Sequence, residues 1–225
     1  PYTLIYADNS FNGTINNNII YSENPLYYRN VGNLFVPANG IFWAAEGSFY
    51  TVSNRMIENI NIFNNLILKT SAAFGWFDDD INTSDYDSYR NINIFHNTVF
   101  HNIGFETFYL EPAGNPQRIP PTNCSFKNNI IDKAVYEYFT NSIDFVNYWS
   151  VTNNCFAEGN IPPFFQTNNI PGDPSFVSPS GYLPVNYKIQ PNSICRGSGI
   201  FTNVTHDYWG TNRSNPPCIG FHEVF

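Results

Sequence analysis

The feature that most constrains the fold is a six-residue stretch that the chain repeats with little change. Its copies align on the second residue of an Asn-Asn pair or of an equivalent pair; they are Ile15–Ile20, Ile62–Ile67, Ile94–Val99, Phe126–Ile131 and Val151–Phe156. Each copy keeps an apolar residue three positions before that Asn and two positions after it. This is strand alternation, interrupted at a fixed point by residues that tolerate a left-handed bend. A recurring bend between constant apolar columns predicts the stacked coils of a solenoid.

The intervals between the copies predict where the coils carry loops. The second Asn residues lie 47, 32, 32 and 25 residues apart. We expect a degenerate coil in the first interval, with Asn39 in the bend and Val36 and Ile41 in the core columns. The remaining excess must loop out, and loops often carry function. The long predicted loops are Glu23–Asn33, Thr70–Arg90 and Phe105–Thr122.

The end of the chain has a different composition from the coils. From about Asn168 the repeat is lost and Pro, Gly and Ser become frequent. A solenoid needs its open end covered, because the last coil otherwise exposes apolar surface and an unpaired strand edge. We therefore assign residues 1–170 to the coils and residues 171–225 to a closing cap of the same domain.

The cap contains four short motifs that carry a resemblance. They are Asp173-Pro174-Ser175-Phe176, Gln190-Pro191-Asn192-Ser193, the Asp207, Gly210 and Arg213 triplet, and Ile219-Gly220-Phe221-His222-Glu223. Together with the Asn-Asn-aliphatic coils, they resemble the parallel β-helix proteins of the pectate-lyase-like superfamily, whose closing module commonly reads D-I-G-A-[YF]-E. The resemblance implies an all-β, right-handed parallel β-helix with long loops and an irregular cap. It implies little about activity, because the superfamily includes lyases, hydrolases, epimerases, phage tailspikes and members without known activity.

Four cysteines permit two disulfides in three connectivities. By the resemblance, Cys218 replaces the usual acid of the closing module, and Cys195 lies where the family often has a small or acidic residue. The resemblance thus suggests a Cys195–Cys218 disulfide that closes the cap. A Cys124–Cys155 disulfide is the candidate second pair, although it needs an irregular loop between the two coils.

The composition bears on location and partners. The net charge of −8, with 10 Lys and Arg residues, argues against nucleic acid, and no apolar run reaches the roughly 20 residues of a membrane helix. The chain starts at Pro1, so we expect a processed or partial product. An even cysteine count and several sequons favour a secreted, N-glycosylated protein, although an Asn-rich chain also makes sequons by chance. The sequons begin at Asn12, Asn82, Asn123, Asn203 and Asn212.

The candidate catalytic residues are few. The acidic cluster Asp78, Asp79 and Asp80 could supply the carboxylates of a hydrolase, and Asp78 and Asp80 could bind Ca²⁺, the only cofactor considered. Lys69 is a candidate base for a lyase. The competing interpretations are a solvated loop and a surface lysine. We find no pectate-lyase-like or polygalacturonase-like signature, which argues against an enzyme.

Aromatic residues make up 18% of the chain, and some fall outside the core columns. Tyr27, Tyr28, Trp76 and Phe77 are candidate contacts for a glycan or a protein partner, with core packing as the alternative. We therefore predict a structural protein that self-assembles in an extracellular surface, matrix or filament and contacts carbohydrate. The alternative is a polysaccharide lyase or glycoside hydrolase that acts on an extracellular polysaccharide.

Overall fold

All the described strands except one antiparallel pair form three parallel sheets. The computed structural model describes residues 3–8, 10–22, 29–31, 34–45, 56–78, 88–100, 106–110, 120–132, 147–158, 161 and 167–225. Sheet A contains β1 (Thr3–Asp8), β6 (Asn39–Ala45), β9 (Ala72–Asp78) and β12 (Glu106–Leu110). Sheet B contains β2 (Thr14–Asn16), β7 (Met56–Phe63), β10 (Ser88–Phe95), β13 (Cys124–Lys127) and β15 (Trp149–Thr152). Sheet C contains β3 (Ile19–Tyr21), β8 (Leu66–Leu68), β11 (Thr98–Phe100), β14 (Ile130–Ile131), β16 (Cys155–Phe156) and β17 (Ile170–Pro171).

The order of the strands defines the architecture. The chain visits sheets A, B and C in turn, and each strand pairs in parallel with its equivalent in the next coil. Ile62 pairs with Ile94, and Ile67 pairs with Val99, so the repeat copies stack in the register that the sequence predicts. The protein is a parallel β-helix, which confirms the predicted fold class. None of the described residues belongs to a helix long and apolar enough to cross a membrane.

The predicted apolar columns form the interior. Residues three before the second Asn include Ile62, Ile94 and Phe126, all with no exposed surface. Residues two after it are buried in every copy, from Ile20 at 4% exposure to Val99 at none. Aromatic side chains fill the wide part of this core; they include Trp43, Phe74, Trp76, Tyr89, Phe108 and Trp149.

The first interval contains a hairpin rather than a degenerate coil. β4 (Arg29–Val31) and β5 (Leu34–Val36) pair antiparallel outside the three stacked sheets. Asn39 is not in a bend, because it begins β6 and pairs with Thr3 of the first coil. Ile41 is buried as predicted, but in sheet A. The predicted extra turn is therefore wrong.

The Asn pairs have two separate functions. The first residue of each pair makes the left-handed bend, with φ near +55° at Asn64 and at His96. The second residue joins a buried amide ladder, in which Asn65 donates to Asn97 over 2.9 Å and Asn97 donates to Asn129 over 3.0 Å. The ladder continues through Asn154 to Asn169, one coil after the last repeat copy, Val151–Phe156.

A second asparagine column bends the chain at the start of the repeat. Asn12, Asn59, Asn91 and Asn123 all have φ between 55° and 60°. Asn59 donates to Asn12, and Asn91 donates to Asn59, over 2.8 Å in each case. Asparagine suits this conformation better than other side-chain residues do. The sequence pattern predicted only one of the two bend columns.

The C-terminal segment packs along the side of the coils, whereas we expected it over the open end. Its backbone accepts hydrogen bonds from the first residue of successive pairs: Asn153 to Ser198, Asn128 to Ile200 and Asn64 to His206. Residues 198–206 therefore run back across four coils.

This segment shares a second apolar cluster with the outer face of sheet C. Leu66, Leu68 and Ile130 point outward and are covered by residues of the segment; those residues include Phe176, Tyr187, Ile189, Cys195, Ile219 and Phe221. Sheet C is thus buried on both faces, which is typical of parallel sheets.

Candidate functional site

A pocket of about 280 Å³ opens where the coils of sheet C meet the start of the C-terminal segment. This volume lies near the lower end of the range for small-molecule sites, about 300–1,000 Å³. The pocket combines carboxylates with apolar side chains. Its lining consists of Phe100, Asp132, Ala157, Glu158, Asp173, Pro174, Phe176 and Pro179.

The carboxylates come from consecutive coils. Asp132 follows β14, Glu158 lies two residues after β16, and Asp173 lies two residues after β17. Sheet pairing continues past the strand ends, because the Ala157 N–H donates to Ile131 over 2.8 Å. Neighbouring strands lie about 4.8 Å apart. Glu158 and Asp173 therefore stand roughly one coil spacing apart.

The three carboxylates differ in environment. Asp132 is 4% exposed, whereas Glu158 is exposed at the mouth of the pocket. Asp173 is also exposed, but it accepts the Ser175 N–H on Oδ1 over 2.8 Å, an Asx turn that fixes its side chain. The pocket thus has a buried acid, a fixed acid and a freely exposed acid.

Aromatic rings form the apolar wall. Phe100 stands edge-on to Phe176, with ring centroids 5.4 Å apart, and also contacts Tyr187 at 5.5 Å. Phe176 and Tyr187 contact each other at 5.7 Å. Because each ring holds the other two, the wall is a rigid apolar surface beside the carboxylates.

The three acids of the pocket are not grouped as metal ligands. In the part of the chain that the structure describes, no three His, Cys, Asp or Glu residues are grouped so as to hold a metal ion. The predicted Ca²⁺ candidate Asp80 lies outside the described residues, as does Asp79. Asp78 ends β9, and its side chain is outside the described part.

Among the predicted catalytic residues that the structure describes, Lys69 and Asp78 lie at opposite ends of one segment. Lys69 lies three residues before the start of β9, and Asp78 is the last of its seven residues. At about 3.3 Å per residue, the strand alone spans about 20 Å. Lys69 itself occupies a left-handed bend, with φ of 51°.

Trp76 was a candidate surface contact, and that prediction is wrong. The residue has no exposed surface and packs on Tyr89 with ring centroids 4.8 Å apart. The side chain of Phe77 lies outside the described part, and so do Tyr27 and Tyr28.

The sequons and cysteines have different outcomes. Asn12, Asn123, Asn203 and Asn212 are exposed, so each is accessible to modification, while Asn82 lies outside the described residues.

The cysteines are all free and buried, and the two predicted pairings are not formed. Cys124 lies inside the coils, whereas Cys155 belongs to the outer cluster. This placement contradicts a Cys124–Cys155 bond.

His96 has a structural role in the bend column. His96 occupies the bend column, is fully buried, and lies 3.1 Å from Thr202 and 3.0 Å from Asn128. Burial, followed by the nearby Arg213 charge, lowers the pKa of His96 well below its usual value. The imidazole is therefore neutral, as expected for a replacement of Asn in the bend.

Arg213 pairs with Glu223 and not with Asp207 of its own motif. Its guanidinium lies 3.3 Å from the carboxylate of Glu223, and both side chains are almost fully buried. It also donates to Asn64 Oδ1 over 2.8 Å. Asp207 instead accepts the backbone N–H groups of Trp209, Thr211 and Glu223. Arg213 therefore links Glu223 of the C-terminal segment to Asn64 of the coils.

Comparison with known families and with curated proteins gives no match to this chain. The carboxylate pocket was missed in the sequence because its acids are separate residues rather than a cluster. A signal does exist: Asp132 follows one repeat copy by one residue, and Glu158 follows the next by two. Stacked coils bring such positions together.

Proposed function

We propose that the protein is an extracellular structural β-helix that binds neutral carbohydrate in the pocket of Asp132, Glu158 and Asp173. The observation that supports this function is the combination of carboxylates and a rigid aromatic wall in one pocket. Carboxylate oxygens accept hydrogen bonds from sugar hydroxyls. Aromatic rings pack against the C–H faces of sugar rings. The small volume suits a single sugar residue, with the rest of the chain outside.

The charge of the pocket argues for a neutral sugar. A uronate carboxylate about 5 Å from one ionised acid would lose about 1–3 kcal/mol by repulsion, depending on the dielectric constant. Three acids border the pocket, and the net charge of the chain is −8. A uronate-specific lyase would need cations or a metal at this point. The pocket therefore favours neutral hexoses or pentoses over pectin-like polymers.

The experiment is a binding panel of neutral and uronate oligosaccharides, measured by calorimetry. We expect a neutral glycan to bind, and expect Glu158→Gln or Asp132→Asn to weaken it about tenfold through lost charge-assisted hydrogen bonds. Asp8→Asn is the matched control, because Asp8 is exposed on β1 of the first coil. Unchanged affinity in both pocket variants, or binding of uronates alone, would contradict the proposal.

Hydrolysis is a second candidate, favoured by the positions of Glu158 and Asp173 on adjacent coils. Glycosidases use two carboxyl groups about 5–5.5 Å apart for retention or about 6.5–9.5 Å apart for inversion. One coil spacing, about 4.8 Å, brings such separations within reach. Release of reducing sugar from a neutral polysaccharide, abolished by Glu158→Gln, would support an enzyme. Binding without turnover supports the structural protein.

The extracellular location has its own test. Four exposed sequon asparagines on the coils and on the C-terminal segment support N-glycosylation. The intact mass of native material should fall by whole glycan units when an amidase removes the N-glycans. Loss of Asn12 or Asn123 modification in Gln variants would assign the sites. A mass equal to that of the bare chain would contradict this part of the proposal.

A further inference from the structure

Two buried cysteines meet where the C-terminal segment covers the coils. Cys155 lies on β16 of sheet C, Cys195 lies in the C-terminal segment, and both have no exposed surface. They belong to the same apolar cluster. The neighbouring Cys155 thiol, together with burial, raises the pKa of Cys195 well above its usual value. The two thiols are therefore neighbours within one buried cluster.

The surrounding backbone confirms this juxtaposition. The Cys155 thiol donates to the Gly172 carbonyl over 3.4 Å. A Cβ built on Gly172 would lie 3.2 Å from the side chain of Ile194, the residue before Cys195. Ser193 Oγ donates to the Pro174 carbonyl and accepts the Cys195 N–H over 3.1 Å. Residues 172–174 thus lie against both cysteines.

The other two cysteines have separate surroundings. The Cys218 thiol donates to the Val224 carbonyl over 3.6 Å. The Cys124 thiol lies in the interior of the coils and donates to the Thr122 carbonyl over 3.5 Å. Both serve as internal controls, because they are also buried thiols.

We propose that Cys155 and Cys195 form a disulfide when the protein folds in an oxidising compartment. The oxidant is a small-molecule disulfide such as oxidised glutathione. One cysteine thiolate attacks it, forms a mixed disulfide and releases one glutathione thiolate; the second cysteine thiolate then attacks the mixed disulfide and releases the other. The two thiol protons leave with the two glutathione molecules.

The bond would close a loop that contains the pocket wall. Residues 173–179, which supply Asp173 and Phe176 to the pocket, lie between the two cysteines in the chain. The disulfide would therefore join the fifth coil to the C-terminal segment and hold the pocket between them. Constraining the unfolded chain in this way stabilises a protein.

The test refolds the reduced chain in a glutathione redox buffer, followed by alkylation under denaturing conditions and peptide mapping without reductant. We expect two free thiols, at Cys124 and Cys218, and one linked peptide pair that joins Cys155 to Cys195. The Cys218→Ser variant should keep this link, whereas Cys155→Ser should leave Cys195 alkylated. The oxidised protein should melt several degrees higher than the reduced protein.

Two results would overturn the proposal. One is a linked pair that includes Cys218 or Cys124, such as the Cys195–Cys218 pair that the family resemblance suggests. The other is four alkylated cysteines in a chain whose circular dichroism shows that it has refolded. Both results are measured on the wild-type protein, so neither depends on whether a variant folds.

Discussion

Asn97→Ala should destabilise the protein much more than the same substitution at the end of the ladder. Asn97 is fully buried. Its Oδ1 accepts the main-chain N–H of Asn65 over 3.0 Å and the Asn65 side-chain amide over 2.9 Å. Its Nδ2 donates to Asn129 Oδ1 and to the carbonyls of Ile62 and Phe95. The substitution removes all these bonds at once.

The magnitude follows from what remains unpaired. The Asn65 side chain keeps a bond to Ile15 over 2.9 Å, and Asn129 Oδ1 keeps the main-chain N–H of Asn97. The main-chain N–H of Asn65, however, loses its ladder acceptor within a dry interior. An unsatisfied buried donor costs about 1–3 kcal/mol, and each of the four other lost bonds about 0.5 kcal/mol, the low end of the usual range because they share donors and acceptors. We therefore expect a loss of about 3–5 kcal/mol in the free energy of unfolding.

Asn18→Ala is the matched control. Asn18 is the first residue of the ladder and only half-buried, and Asn65 Oδ1 keeps the Asn18 main-chain N–H over 3.1 Å. The expected cost is about 1 kcal/mol or less. Equilibrium urea unfolding, followed by the fluorescence of buried tryptophans such as Trp43, measures both variants. Equal losses in the two variants would refute the view that the internal amide ladder stabilises the coils.

Three further predictions concern the packing of the coils and the C-terminal segment. The free energy of unfolding should fall as the pH drops below 6.5, because His96 has a lowered pKa when folded and the unfolded chain binds the proton first; His96→Asn should reduce this fall when both proteins are unfolded in urea at pH 7 and pH 5. Arg213→Met should cost about 3–5 kcal/mol, since it leaves the buried Glu223 without its cation, and the double variant with Glu223→Gln should recover part of the loss in the same assay. Gly40→Ala should lower the melting temperature and cost about 1–3 kcal/mol, because its Cβ would lie 2.4 Å from the Ala73 carbonyl oxygen; an unchanged melting temperature would contradict this packing.

The interior was predictable because one physical rule determines it. Every coil must bury the same side of the same strand, so the sequence repeats an apolar residue at fixed distances from the bend. Ile62, Ile94 and Phe126 follow this rule and are buried. The second bend column was missed because Asn59 and Asn91 lie within continuous strands. No break in apolar alternation marks their positions.

The candidate site was less predictable, because it depends on register between coils. Asp132, Glu158 and Asp173 are 41 residues apart at most in the chain and share no local motif. Only the stacking of β14, β16 and β17 brings them to one edge. The obvious acidic run, beginning at Asp78, instead follows a strand of sheet A. Local clustering of charge was thus a poorer guide than position relative to the repeat.

The position of the C-terminal segment along the coils could be predicted from apolar residues at outward-facing strand positions. Strand alternation with a single buried face does not explain these residues. A strand covered on one face needs an apolar residue only at every second position. Leu66-Ile67-Leu68 is apolar throughout, and Ile130-Ile131 and Cys155-Phe156 are apolar pairs at the equivalent place. The inner residue of each faces the core, and Leu66, Ile130 and Cys155 face outward. Consecutive apolar residues, one on each face of the strand, predict a second layer that covers the outer face of sheet C. This pattern appears in the second, fourth and fifth coils, so the layer must extend along the axis of the β-helix, which is a property of a segment on its side and not of a cap over its end.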